Sequence, residues 1–272
     1  AYMESIWWVF KSLWDKGLIY EGHKILPYCP RCATPLSNFE TNQGYEEVTD
    51  PAVTVRFAVR GRPNTYILAW TTTPWTLPSN MALAVGKDIS YARVEDGDEV
   101  YYLAMDRLPV YYKSEEECRK TVVKGSELVG LTYEPLFPYF ADRAAEGAFR
   151  VVAADFVSTE DGTGIVHIAP GFGEDDAALG RDEGVPAVCP VDAEGRFTPE
   201  VPDYAGRRVK ETDDDIMQRL KKERKLVHRS TIKHSYPHCW RCDDALIYRA
   251  VSTWFVNVEK MKDRLIECNR DV

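Results

Sequence analysis

Apolar residues recur at two periods along this chain, and the change of period divides it. Residues 4 to 18 place Ile6, Phe10, Leu13, Trp14 and Leu18 at helical spacing, with Gly17 near the end as a stop. From Tyr45 to about Val209 the pattern becomes strand-like: "AVTVRFAV", "TYILAW", "MALAVG", "YARVE", "EVYYLAM", "FRVVAADFV" and "GIVHIA", punctuated by Gly, Pro and Asp, with "EDGDE" as a hairpin turn. Strands this closely spaced predict a sandwich or barrel rather than βαβ units. "GEDDAALGRDEG" predicts one short helix, because its acidic first turn suits a helix N-terminus. Further on, Thr212 and Asp215 have capping-box spacing ahead of Ile216 and Leu220 on one face. A last helix is expected to carry Trp254, Val258, Met261 and Leu265 on one side. The expected fold is mixed and β-rich, barrel-like with short helices, in three parts: an N-terminal helix and first CxxC arm (1–44), a β-rich body (45–229), and a second CxxC arm with the terminal helix (230–272).

The stretch "WTTTPWTLPSN", Trp70 to Asn80, breaks the strand pattern. Threonine favours strands, but Pro74 and Pro78 cannot sit inside a central ladder. The strand therefore stops near Trp70, leaving three hydroxyls at its end, either as turn residues or as the wall of a pocket.

Composition changes this picture little. The chain has 272 residues, is 44% hydrophobic and 28% charged, and carries a net charge of −9, which is ordinary globular composition and argues against a stand-alone basic nucleic-acid binder. "KKERKLVHR" (Lys221 to Arg229) and Arg207-Arg208 are local basic clusters, which are more often solvated faces than RNA contacts. No apolar run is long enough for a bilayer, so no membrane partner is expected. The first residues lack the features of a signal peptide and read as the inside of a helix, as in an excised fragment.

Seven cysteines stand at 29, 32, 118, 189, 239, 242 and 268. The odd count and two close pairs do not fit a secreted disulfide framework, so a reducing cytoplasm is expected. Cys29 and Cys32 in "CPRC", with Cys239 and Cys242 in "CWRC", offer four thiolates to one tetrahedral zinc. Such a site has no open position and is structural, clipping the two ends of a long insertion. The adjacent His238 is an alternative ligand, and free thiols are the other reading.

"GTGIVHIAPGFGEDD", Gly162 to Asp176, is the second unusual stretch. His167 lies on a strand that Pro170 ends, and glycines lead into Asp175 and Asp176. A lone strand histidine is more often a satisfied structural residue, and paired acids are more often a helix cap. The surrounding glycines favour a site, because they let backbone approach a ligand. There is no GxSxG elbow, P-loop or GxGxxG. The available groups suit holding a cationic amine on a carboxylate and orienting water towards an ester. A zinc-stabilised RNA-binding module without catalysis, and a metal-dependent hydrolase using His167, Asp175 and Asp176, remain as alternatives.

These two stretches resemble the paired signatures of isoleucyl-tRNA synthetase editing domains, the connective insertion of a class I catalytic domain. The resemblance covers nearly the whole chain, including "YMESIWWVFKSLWDKGLIY" and "STWFV". Valyl and leucyl relatives are expected to have Arg in place of Thr73 and another residue at His167. The HIGH and KMSKS signatures of the synthetic site are absent, and "EKMKDRL" does not replace the latter. The resemblance implies an ester hydrolase acting on valine mis-esterified to isoleucine tRNA, with valyl-adenylate as a further substrate and the rest of a synthetase chain as partner. One methylene is worth only about 1–3 kcal/mol in an apolar pocket, a general limit established with isoleucine against valine themselves, so a second site must destroy the smaller product. It further implies Asp176, Thr72 and His167 as the catalytic set, with Asp176 holding the α-ammonium, Thr72 as a size wall, and His167 as either a size wall or the base. Thr71, Thr73, Asn80, Trp70 and Asp175 would bind substrate, Thr72, Thr73 and Asn80 by bonding the terminal adenosine or water. Backbone N–H groups freed near Pro74 would meet the oxyanion. No catalytic metal is expected.

Overall fold

The computed structural model describes residues 1–113 and 118–270. Among the described residues there are twelve strands: β1 (Ile19–Cys29), β2 (Thr34–Pro35), β3 (Tyr45–Ala58), β4 (Thr65–Thr71), β5 (Ala82–Val85), β6 (Ser90–Asp96), β7 (Glu99–Ala104), β8 (Arg119–Lys124), β9 (Arg150–Ala153), β10 (Val166–Ile168), β11 (Leu226–Pro237) and β12 (Ile247–Val256). The chain divides into a smaller unit, Ala1–Lys24 with the segment from Ala250 onward, and a larger one, Ile25–Arg249. Both cysteine pairs fall inside the larger unit.

In the smaller unit the helix Tyr2–Asp15 buries none of its residues, and Trp7 and Trp8 are exposed. Trp14 packs edge-on against Trp254 at 5.6 Å, and Tyr20 stacks on Phe255 at 5.5 Å. Trp254 is therefore a strand residue of β12. The expected single helix is instead a strand, a 3-10 turn (Val258–Met261) and a helix (Lys262–Asn269). The i, i+4 spacing misled because "STWFV" is rich in β-branched and aromatic residues, which win in a strand paired to β1.

The larger unit is built on a nine-stranded mixed sheet. β4 is its branch point. β3 runs antiparallel along one edge, while the other edge is shared between β7, paired at Thr65–Ile67, and β10, paired at Trp70. From β10 the sheet continues through β5 to β9. The segment 130–134 then links β9 back to β3: Val151 N–H donates to Leu131 O at 2.8 Å, and Glu134 N–H to Ala58 O at 2.8 Å. This closes a barrel-like ring around Phe57, Tyr133 and Phe149, whose rings meet at 5.1 and 6.2 Å. β6, β7 and β8 form a second arm, and Gly97 at φ +58° makes the predicted β6–β7 turn.

The predicted acidic helix is Glu174–Glu183. The capping box at Thr212 does not form. The Thr212 hydroxyl donates back to Val209 O at 2.6 Å and Asp215 pairs with Arg207, because a 3-10 turn (Val209–Thr212) runs directly into the helix Asp213–Lys222 and leaves Thr212 no extended cap geometry. Among the described residues no helix is long and apolar enough to cross a membrane.

Candidate functional site

A cavity of about 420 Å³ opens where β4 forks. Its walls come from the β4 end and the following turn (Trp70 to Thr73, Trp75, Thr76), from 161–167 and Ala169 around β10, from Phe172, Gly173 and Asp176, and from Tyr236 and Tyr248. The prolines act as expected: β4 stops at Thr71 and the chain turns into a 3-10 helix, Pro74–Ser79. Gly162 lies against the Trp70 indole, where a Cβ would come within 2.9 Å of that side chain, so only glycine lets the backbone pass there at φ +63°.

His167 is 8% exposed, and both its nitrogens are engaged. The Asn80 amide nitrogen Nδ2 donates to Nδ1 at 2.8 Å, and Nε2 lies 3.1 Å from Thr76 Oγ1. Asn80 is itself fixed: Nδ2 also donates to Ala82 O, and Oδ1 accepts from the Tyr133 hydroxyl at 2.7 Å. Thr76 Oγ1 spends its proton on Thr73 O at 2.8 Å and so accepts from His167. The imidazole is thus neutral with its proton on Nε2. Burial agrees, pushing its pKa down to about 4.

Thr71, Thr73 and Thr76 form one hydroxyl chain: Thr71 Oγ1 lies 3.2 Å from Thr73 Oγ1, which lies 3.1 Å from Thr76 Oγ1. The Thr72 hydroxyl has no protein partner among the described residues and lines the cavity. Asn80 is only 3% exposed and stands behind His167 with both ends of its amide committed, so its bonds go to the protein and not to a ligand. Three backbone donors near Pro74 are taken: Trp75 N–H goes to Asp213, Thr76 N–H to Thr73 O, and Thr73 N–H to Thr71 Oγ1.

Asp176 lines the cavity, while Asp175 is exposed and outside it. Asp176 Oδ2 accepts from Ala169 N–H at 2.8 Å, and its carboxyl folds over Gly173, where a Cβ would come within 2.7 Å of it. Burial, reinforced by neighbouring Asp175, raises its pKa to about 6 against the pull of the Ala169 N–H. Oδ1 has no protein partner among the described residues. The set can seat a cation at Asp176, offer a hydroxyl at Thr72 and limit volume at His167. Trp75, Thr76, Phe172, Tyr236 and Tyr248 were not anticipated. Thr76 had a signal, standing three residues after Thr73 in a turn; the two tyrosines come from strands remote in sequence.

The four cysteine sulfurs all lie within 4.8 Å of one another, with Cys242 Sγ 3.5 Å from both Cys29 and Cys32. Tetrahedral Zn–S bonds of about 2.3 Å put sulfurs about 3.8 Å apart, so the cluster fits a metal of that kind. Each pair sits on a tight turn with a left-handed residue, Ala33 at φ +49° and Asp243 at φ +59°. His238 is not in the cluster; its Nδ1 faces Tyr236 O at 3.1 Å. No second group of three or more metal-ligating side chains occurs among the described residues, and His167 has no free nitrogen to offer one.

Comparison with known proteins agrees with this architecture. An isoleucine–tRNA ligase of Treponema denticola is 56% identical over 306 aligned residues, covering 100% of this chain and 28% of its own length. One of Bdellovibrio bacteriovorus is 56% identical, covering 99% and 26%. The chain thus spans about a quarter of the length of these relatives. In fold it is similar to the crystal structure of GlLeuRS-CP1 (TM-score 0.53, 17% identity, 66% of this chain and 99% of that one) and to the P. knowlesi cytosolic leucyl-tRNA synthetase editing domain (0.52, 13%, 69% and 99%). The family model for class I tRNA synthetases (I, L, M and V) matches residues 1–272, and the chain belongs to that family.

Proposed function

We propose that this chain is the editing module of an isoleucyl-tRNA synthetase, hydrolysing valine mis-esterified to isoleucine tRNA and excluding isoleucine by size. The observation that carries the reading is the pairing of a rigid neutral wall with an unpartnered carboxylate oxygen in one cavity. Asp176 takes the α-ammonium, in a charge-assisted bond roughly twice as strong as a neutral one. It thereby fixes the one group all amino acids share. The side chain must then fit the remaining space against His167, which the Asn80 and Thr76 bonds hold in place. Water attacks the ester carbonyl, the bond to the ribose oxygen breaks, and that hydroxyl leaves with a proton. Thr72, with its free hydroxyl, orients the water or the ribose. His167 is wall rather than base, since Nδ1 already accepts a bond and Nε2 already carries a proton. Valyl-adenylate presents the same aminoacyl group and is the second proposed substrate. The four cysteines hold a structural zinc, which takes no part in the reaction.

The names of the 56%-identical relatives and of the two fold neighbours support this reading. Deacylation of valyl- and isoleucyl-tRNA, with and without a chelator, tests it. Cleavage of the valyl ester alone, unaffected by the chelator, is expected. Binding of tRNA without turnover would favour the RNA-binding alternative, and loss of turnover on removal of a loosely held metal would favour a metal hydrolase.

A further inference from the structure

We propose that Asp213 is a positioning residue for the cavity: it caps the Pro74–Ser79 turn from 138 residues away and so holds the wall that sets size selectivity. The selectivity part rests on the editing reading above; the capping part does not.

The first donors of a helical turn have no partner inside it. Here Pro74 brings none, and Trp75 N–H is the first that needs an acceptor. Trp75 is 3% exposed, so water does not serve it. Asp213 Oδ1 does, at 2.8 Å. What hangs on this turn is the cavity wall. The Trp75 ring packs edge-on against Phe172 at 5.0 Å, and both line the cavity. The next residue, Thr76, accepts from His167 Nε2. One carboxylate therefore secures Trp75 directly and the histidine wall through Thr76. As the first residue of the helix Asp213–Lys222, Asp213 also has its negative charge favoured by its own helix dipole.

The groups facing this carboxyl are mixed. Lys210 lies beside it with its ammonium 3.8 Å over the Tyr236 ring, Asp50 reaches in from β3 and is bonded to His234 at 3.0 Å, and Asp214 follows on the helix. Burial raises the Asp213 pKa to about 7, the Trp75 N–H and Lys210 pull it down, and Asp50 and Asp214 push it up. The cap is consequently charge-assisted above neutrality and weaker below it.

The test uses the chain labelled with ¹⁵N-tryptophan, reading the exchange protection of the Trp75 amide, alongside kcat and KM for valyl and isoleucyl esters. Asp213→Ala is expected to lower Trp75 protection by about ten- to a hundred-fold, the loss of one charge-assisted bond, and to reduce valyl-over-isoleucyl selectivity with it. Asp213→Asn keeps an acceptor oxygen, so it should retain most of the protection and selectivity. It should also abolish the drop in protection that the wild type shows between pH 8 and pH 6. Unchanged Trp75 protection in Asp213→Ala overturns the cap. Lost protection with unchanged ester selectivity overturns the positioning role. Should Asp213→Ala not fold, Asp213→Leu, which fills the same space and has no acceptor, takes its place, and unchanged Trp75 protection in it overturns the cap. Absence of any ester cleavage by the wild type counts against the editing reading alone, because the exchange measurement still decides whether Asp213 holds the turn.

Discussion

The side-chain amide of Asn80 donates to Nδ1 of His167 at 2.8 Å, and the direction of that bond fixes which imidazole nitrogen is bare. An amide nitrogen cannot accept, so Nδ1 must, and the proton stays on Nε2. Asn80→Asp removes the donor and presents a carboxylate to a lone pair. The expected outcome is a protonated His167 at neutral pH, visible in the ¹⁵N shifts of the ring as two protonated nitrogens where the wild type shows one. Asn80→Ala instead orphans Nδ1 and the Tyr133 hydroxyl together. Each orphaned buried group costs about 1–3 kcal/mol, so urea unfolding should show a loss of at least ~2 kcal/mol.

Linkage gives a stability prediction with a definite sign. The folded pKa of His167 is lowered from 6.5 to about 4, so its contribution is fully present above pH 6.5 and is lost as pH falls towards 4. The span amounts to about 3 kcal/mol. Asp176 and Asp213 act in the opposite sense. Their raised pKa values, about 6 and about 7, give contributions present below pH 3.8 that are lost as pH rises through those values. The wild-type curve mixes the three; the difference between wild type and His167→Gln isolates the histidine, and it should fall between pH 6.5 and 4. A flat difference would mean the ring is charged or solvated in the folded state.

Asp176 must be ionised to hold an ammonium, and its pKa is raised to about 6. The kcat/KM for valyl ester, corrected for spontaneous hydrolysis, should therefore rise about tenfold per pH unit below 6 and level off above it. Asp176→Asn should be slow and lack that inflection. Near-normal rates in Asp176→Ala would remove Asp176 from the site, whereas Asp175→Asn, exposed and outside the cavity, should leave the rate nearly unchanged.

Local chemistry was legible in the sequence where one residue settled the outcome. Pro74 and Pro78 ended β4, Gly97 made the β6–β7 turn, and the acidic start of 174–183 opened a helix. Spacing alone misled. Thr212 and Asp215 stood at capping distance, yet a capping box forms instead at Ser37–Glu40, where the cap residue is extended. Trp254 fitted a helical face and lies in a strand. His167 and Asn80 were both singled out, but their mutual bond, which puts one behind the other, depends on the pairing of β10 with β5. Tyr236, Tyr248 and Asp213 had no local signature, because strand pairing and a bond spanning 138 residues bring them in.

The cysteine cluster predicts a metal content as well as a stability effect. The purified chain should contain one zinc per molecule, and cobalt substitution should give the absorption of a tetrahedral thiolate site. Cys29→Ser or Cys239→Ser removes a buried ligand and should release the ion, loosening the β1–β2 turn and the 237–246 segment. The barrel-like core around Phe57, Tyr133 and Phe149 contains none of these cysteines, so its near-ultraviolet dichroism should persist. Metal-free native protein would count against the site, and global unfolding of the variants would show the core depends on it.

Shrinking His167 to Ala tests the sieve most directly. With the ammonium fixed at Asp176 and the ester carbonyl held towards its water, the amino-acid side chain has only the space left before the imidazole. Isoleucine exceeds valine by one methylene, and overpacking of that size costs about 1–3 kcal/mol, or a selectivity of roughly ten- to two-hundred-fold. His167→Ala removes the wall, so isoleucyl-tRNA should now be cleaved while valyl cleavage continues. Thr76 and Asn80 would lose their ring partner, but each retains another bond, Thr76 to Thr73 O and Asn80 to Ala82 O, which keeps the turn and β5 in place. A base would behave differently: its removal would lower both rates together by about 10²–10⁴-fold. Measuring both esters on the same variant separates the roles. Gained isoleucyl cleavage identifies a wall, and joint loss identifies the proton acceptor that the Asn80 bond argues against.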